Sequence, residues 1–443
     1  MRRFGTGGLC AFGLFALAVF IPVSAPRSLE LAAPQQEARL GFISTATGAS
    51  LVRLNPATLQ RSGRRLRLNG YAGVWAFAPD GQTVAIAVHP TDQRVTNDTL
   101  RFFTAVGGLR RAARPVPLGG VAGAVIWPKP NRVVAYVNDC CSSAASVLAI
   151  DPVTGRVVAR TRIGGFVMHV AHSADSLVLL VADTNRIGPS RIVIVDRDGV
   201  SRTAPLDDIV AGSTWPEDRT SDPIGTRRIP GLAVDENGHR AFVVTGSGLV
   251  AEVDLASLVV SVHHLFESRT FLDLIAGWLT PAAEAKGMNG PALTARWLGD
   301  GLLGVAGTDE TAAMTDGKFT ASARPLGLLI VDTHDWTSRM LDPGADSFFV
   351  ADGLLLVTGS AWSSDKPQTG MGVAAYGSDR KPRFQLLTGR AAWVGFVYRA
   401  RAYVSVAEES ALRVVDLASG RIVGARRSDA PWPLLGDAAP VFG

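Results

Sequence analysis

A chain of 443 residues, 47% hydrophobic and 19% charged, has room for several ordinary domains or one large repeat architecture, and it is too apolar to be globally disordered. The formal charge is +5, with Arg and Lys scattered among Asp and Glu. No basic run stands out, which argues for a mildly basic soluble surface and against a nucleic-acid partner.

The N-terminus reads as a segment apart from the fold. Met1-Arg2-Arg3 is a short positive region, Leu9 to Val23 is almost wholly apolar, and Val23-Ser24-Ala25 places small residues at the spacing a signal peptidase reads. The apolar run, about 15 residues, falls short of the roughly 20 that span a bilayer. Pro26 follows Ala25 and Pro34 follows Ala33, and proline after either cut hinders cleavage. Residues 1–25 are therefore a signal peptide or an uncleaved membrane anchor, and both readings predict export, to the periplasm, the exterior or the outer side of a membrane. Residues 26–39 read as a tether, and 40–443 as one folded domain.

In chain order, three strands open the domain, at Gly41–Ser44, Leu51–Asn55 and Arg65–Leu68. A hairpin follows, Val74–Phe77 and Thr83–Ala87 around Asp80-Gly81. Ala124–Trp127 and Val133–Val137 form the next, then Val147–Asp151 and Arg156–Arg160 around Pro-Val-Thr-Gly155. The pattern returns as Met168–Ala171, Leu177–Val181 and Ile192–Asp196, and as Leu232–Val234, Arg240–Val244, Val250–Asp254 and Val259–Val262. Arg296–Leu298 with Asp300-Gly301 precedes Leu328–Asp332, and Phe348–Val350 carries Asp352-Gly353. Trp393–Val397, Tyr403–Val406, Leu412–Asp416 and Arg421–Ala425 complete the series. Asp-Gly or Asn-Gly between apolar runs is a strong hairpin signal, and an Asp closing a strand accepts backbone N–H bonds in the turn.

These modules of four short strands recur about every 40 to 64 residues, near the spacing of propeller blades. A small sheet with two apolar faces buries both only between neighbours around an axis. The modules resemble the YVTN-type and quinoprotein-like propeller repeats and, more distantly, the WD-type ones, over roughly residues 40 to 440. The resemblance implies an all-β propeller of seven or eight four-stranded blades. Seven complete modules plus a composite give eight: the N-terminal strands lack an innermost partner, and Pro431–Asp437 reads as an innermost strand with no blade after it. Insertions at 90–99, 183–190, 212–229, 266–291, 307–323 and 359–370 read as loops, the fourth holding a short amphipathic helix at Phe271–Leu279.

Candidate chemistry is sparse. Cys140-Cys141 are adjacent, and an oxidising compartment favours a strained vicinal disulfide, with free or intermolecular thiols as the alternative. Adjacent cysteines also occur in quinone-dependent alcohol dehydrogenases, eight-bladed propellers that the chain resembles in architecture. It lacks their repeated tryptophan docking pattern, and no calcium or acid positions match. His169 and His172, three apart on a strand, and the adjacent His263-His264 should diverge rather than share a metal. The recurrent Asp151, Asp196, Asp254, Asp332 and Asp416 sit at equivalent turn positions, which marks turn formers, not catalytic acids. Trp75, Trp127, Trp297 and Trp393 recur on innermost strands, which favours packing over a ligand cage. No nucleophile motif or phosphate-cradling Gly-x-x-x-x-Gly-Lys occurs, and the sequence identifies no cofactor. The sequence thus predicts a non-catalytic scaffold that binds a protein, glycan or small ligand on a loop-rich face. The rival is a lactonase, cyclotransferase or quinone- or metal-dependent redox enzyme with its site at the central channel.

Overall fold

The computed structural model describes residues 38–435, other than 46, 93–96, 105–108, 139–144, 174, 215–224, 266–288, 316–317, 365 and 428. Cys140, Cys141 and the helix expected at Phe271–Leu279 lie outside the described residues. The strands, numbered in chain order from β1 (Leu40–Thr45) to β35 (Trp432–Pro433), make seven hydrogen-bonded sheets. Successive meanders begin at β4 (Tyr71–Phe77), β9 (Val121–Lys129), β13 (Phe166–His172), β18 (Gly231–Val234), β22 (Gly290–Gly299), β27 (Ser347–Ala351) and β31 (Ala392–Tyr398). One sheet of nine strands contains the two meanders that begin at β22 and β27, bridged by β24 (Lys318–Pro325). The chain is a β-propeller, as the repeat implies.

Local chemistry sets the turns. Asp151 Oδ1 accepts the N–H of Val153 at 2.8 Å and of Thr154 at 3.2 Å. Asp254 accepts from Ala256, from Ser257 N–H and from the Ser257 hydroxyl, and Asp416 accepts from both donors of Ser419. Asp300 and Gly301 both have positive φ, 47° and 75°, as a two-residue turn matched to strand twist requires. A Cβ on Gly301 would lie 1.9 Å from the His334 ring, so glycine is needed there twice over.

Packing then runs around the ring. Val74 and Phe102 of the first meander pack with Val125 and Trp127 of the second, and Val134 and Val147 of the second with Leu177 and Val193 of the third. The circle closes through the composite sheet β3 (Arg61–Arg67), β2 (Gly48–Leu54), β1 and β35. Gly41 pairs with Pro433 and Phe42 with Trp432, and the Leu434 N–H donates to the Leu40 carbonyl at 2.9 Å. Leu434, 2% exposed, joins the core shared with Val84, Ile86 and Phe103 of the first meander, while Trp432 packs against Phe396 of the last. The chain ends therefore complete one sheet, as the incomplete N-terminal module predicts.

Candidate functional site

The two faces of the ring differ. The turns from first to second and from third to fourth strand of each meander emerge on one face and are short: Ala78–Thr83, Asp235–Arg240, Asp151–Gly155, Asp254–Val259 and Asp416–Gly420 each close with local hydrogen bonds. The remaining connections emerge on the opposite face and carry the insertions. Two of the stretches expected to be loops, at 307–323 and 359–370, are largely strand instead, and a third, 183–190, is strand over its second half. Each pairs chiefly within its own hairpin, Ile187 with Gly212, Thr308 with Pro325 and Gly359 with Gly372.

Together these extensions make a wall. β15 (Ile187–Asp196) rises beside β16 (Ser201–Thr214) as far as the pair Ile187–Gly212, and β16 pairs with β17 (Thr226–Arg228). Parallel bridges Thr226–Asn289 and Ile229–Ala292 carry the contact to β22. The start of β22 pairs with β23 (Leu302–Thr315), whose far end folds back as β24. Ser322 and Ala323 then pair with Ser363 and Trp362 of β28 (Leu354–Ser363), itself paired with β29 (Lys366–Gly377). Two contacts lock the middle: Asn289 Oδ1 accepts the Ala312 N–H at 2.8 Å, and the Arg227 guanidinium meets Glu310 at 2.8 Å. A continuous run of strands thus stands over the third to sixth meanders, with Trp362 38% exposed on it. Beneath it, a cleft lined by Val244, Leu265, Leu293, Leu326 and Met340 measures about 20 Å³, room for one water and no ligand.

Two polar groups on innermost strands face the axis region below the wall. The His169 ring bonds the backbone of Leu293 on β22, and its Nε2 is sealed from solvent without a partner. Burial holds this imidazole below its ordinary pKa, so the ring is neutral near pH 7. On β22, Leu293, Ala295 and Trp297 pack together toward the fourth meander, so alternation turns Arg296 to the other side. Burial lowers the Arg296 pKa, yet guanidinium stays charged, and among the described residues it has no carboxylate or carbonyl partner. With no counter-charge among the described residues, such a desolvated cation suits an anionic group. Arg296 did not stand out in the sequence, because nothing local marks its burial.

The other candidates settle as follows. The turn aspartates make turn bonds. His172 and His264 are exposed while His169 is half-buried, and His263 stacks on Trp336 at 3.6 Å and meets Glu252 at 3.2 Å, so neither histidine pair converges. Among the described residues no three of His, Cys, Asp or Glu gather at one point. Trp75, Trp127 and Trp297 pack against Phe42, Phe102 and Phe242. Trp393 departs from the packing expectation: it is 38% exposed, because Val394 and Phe396 fill the buried positions of its strand.

No family model matches the chain, and no curated protein does. Among solved structures, dihydro-heme d1 dehydrogenase NirN in complex with DHE has a TM-score of 0.52 at 11% identity, covering 94% of this chain and 77% of its own. Apo AztD from Citrobacter koseri has a TM-score of 0.46 at 10% identity, covering 90% and 98%. BamB from Moraxella catarrhalis has 0.42 at 14%, covering 92% and 95%. At such identities the likeness to NirN speaks for the fold alone: this chain shares the β-propeller architecture.

Proposed function

We propose that the protein is an exported, non-catalytic propeller that receives a ligand on its walled face. The observation that carries this reading is the asymmetry of the ring: tight turns on one face, and a hydrogen-bonded wall of extensions on the other. Raised extensions on a rigid scaffold are where binding residues gather, and among the described residues no three of His, Cys, Asp or Glu come together there. Arg296 favours a ligand with an anionic group that reaches the axis. The same arginine keeps the rival reading, a channel enzyme, in view.

A thermal-shift screen of peptides, glycans and small anions tests the proposal. A ligand at one hundred times its Kd stabilises by about 2.7 kcal/mol, a readable rise in Tm. Replacing residues 311–322 by a tight turn should abolish the rise, and Arg296→Gln should weaken it at least tenfold for anionic ligands. A shift that survives loss of the hairpin would move the site elsewhere. Metal-dependent turnover of lactones or quinone-linked alcohols, lost in Arg296→Gln, would establish the enzyme instead.

A further inference from the structure

The scattered arginines are not scattered in space. The last, composite, first and second meanders are consecutive around the ring, and their outer edge strands are β34 (Arg421–Arg427), β3, β7 (Arg110–Arg111) and β12 (Arg156–Ile163). These strands read Arg-Ile-Val-Gly-Ala-Arg-Arg, Arg-Ser-Gly-Arg-Arg-Leu-Arg, Arg-Arg and Arg-Val-Val-Ala-Arg-Thr-Arg-Ile, without one Asp or Glu. Arg61, Arg64, Arg65, Arg67, Arg110, Arg111, Arg156, Arg162 and Arg421 are exposed, and none forms an ion pair among the described residues. The arginines that read as scattered along the chain come to consecutive edges, because ring closure brings β34 next to β3, with the Arg426 guanidinium donating to the Leu59 carbonyl at 3.2 Å. The edge of the third meander, by contrast, carries Asp207 and Asp208 on β16.

Apolar side chains stand among these charges. Val158 is 51% exposed, Val423 54%, Ile422 40% and Val157 38%. Nucleic acid matches the charge but offers exposed valines no apolar surface. A lipid interface matches both, holding arginine at the headgroups and aliphatic side chains at the acyl boundary. The chain outside the structure points the same way. It joins the fold at Ala38, whose N–H donates to the Tyr398 hydroxyl beside the turn that leads into β3, at the middle of the basic arc. The stretch from Ser24 to Glu37 spans at most about 50 Å, so an apolar segment at residues 9–23 lodged in a membrane would keep that arc within reach of it.

We infer that the outer edges of these four meanders form a docking surface for an anionic lipid bilayer. A chain beginning at Ala38 keeps every apolar core that the described residues form and isolates the arc from the N-terminal segment; a Tm equal to that of the intact protein establishes that it folds. That chain should co-sediment with phosphatidylcholine vesicles containing phosphatidylglycerol, not with phosphatidylcholine alone, and salt should release it. Each arginine at a lipid surface contributes about a fivefold effect on partitioning. Changing Arg61, Arg64, Arg65, Arg67, Arg156, Arg162 and Arg421 to Gln should therefore cost at least a hundredfold. Arg202, Arg339 and Arg383→Gln, on the edges of other meanders, should leave binding unchanged. Val158→Ser with Val423→Ser, at unaltered Tm, should weaken vesicle binding while leaving salt-sensitive attraction to duplex DNA untouched. Equal binding to neutral vesicles, full binding by the seven-arginine variant, or a DNA complex that anionic vesicles do not displace would each overturn the inference.

Discussion

Asp254 shows how much structure one side chain settles. Its carboxylate holds two backbone N–H groups and a hydroxyl of the same turn, and the Ser257 bonds, foremost, keep its pKa below the ordinary value. A carboxyl with a depressed folded pKa stabilises above its unfolded pKa, near 3.9, and that contribution fades as pH falls through the lower folded value. Asp254→Ala should lower Tm by about 1–2 °C at pH 7. The gap between wild type and variant should narrow as pH falls below the ordinary carboxylate range. A gap that persisted undiminished in acid would mean that the neutral side chain, not its charge, organises the turn.

At the scale of elements, the wall depends on contacts between strands that no single meander supplies. Asn289 joins three of them: its side chain holds Ala312, and its backbone exchanges hydrogen bonds with Gly225 and Arg227. Loss of one half-buried side-chain bond costs about 1 kcal/mol. Asn289→Ala should therefore barely change global Tm, yet amide exchange at Ala312 and at Thr226–Ile229 should quicken about fivefold. Unchanged protection there would show that the strand pairs alone carry the wall. The short outer edges follow another rule. They end the meanders with charge, which discourages edge-to-edge pairing between molecules, and the same charge makes them an attractive surface for an anion.

For the whole molecule, closure is the decisive contact. The tail contributes Trp432, Leu434 and Leu435 to the two cores that flank the composite sheet. Leu434, buried, contributes about 1.5–3 kcal/mol, and the partly buried Trp432 and Leu435 add to it, a sizeable share of the roughly 5–15 kcal/mol of an ordinary domain. Removing residues 428–443 should cause aggregation or a large fall in Tm. Trimming the N-terminus up to Glu37 should leave Tm in place, whereas a cut beyond Ala38, which is fully buried, should not. A tail-less protein melting within a degree or two of the parent would show that the ring closes without its composite sheet.

The amino-acid sequence by itself determined the repeat. Asp-Gly turns, strand-ending aspartates and alternating apolar runs act over four to eight residues, so Asp80-Gly81, Asp254 and the missing strand filled by Trp432 could be read without coordinates. Only the tertiary structure decided what those modules build between them. The stretches at 307–323 and 359–370 became strands by folding back as hairpins on themselves, and only the closed ring then set Ser322 and Ala323 beside Ser363 and Trp362. His169 and Arg296 came to one axis, and Arg61, Arg156 and Arg421 to one arc, because a closed ring makes neighbours of segments that the chain separates by tens or hundreds of residues.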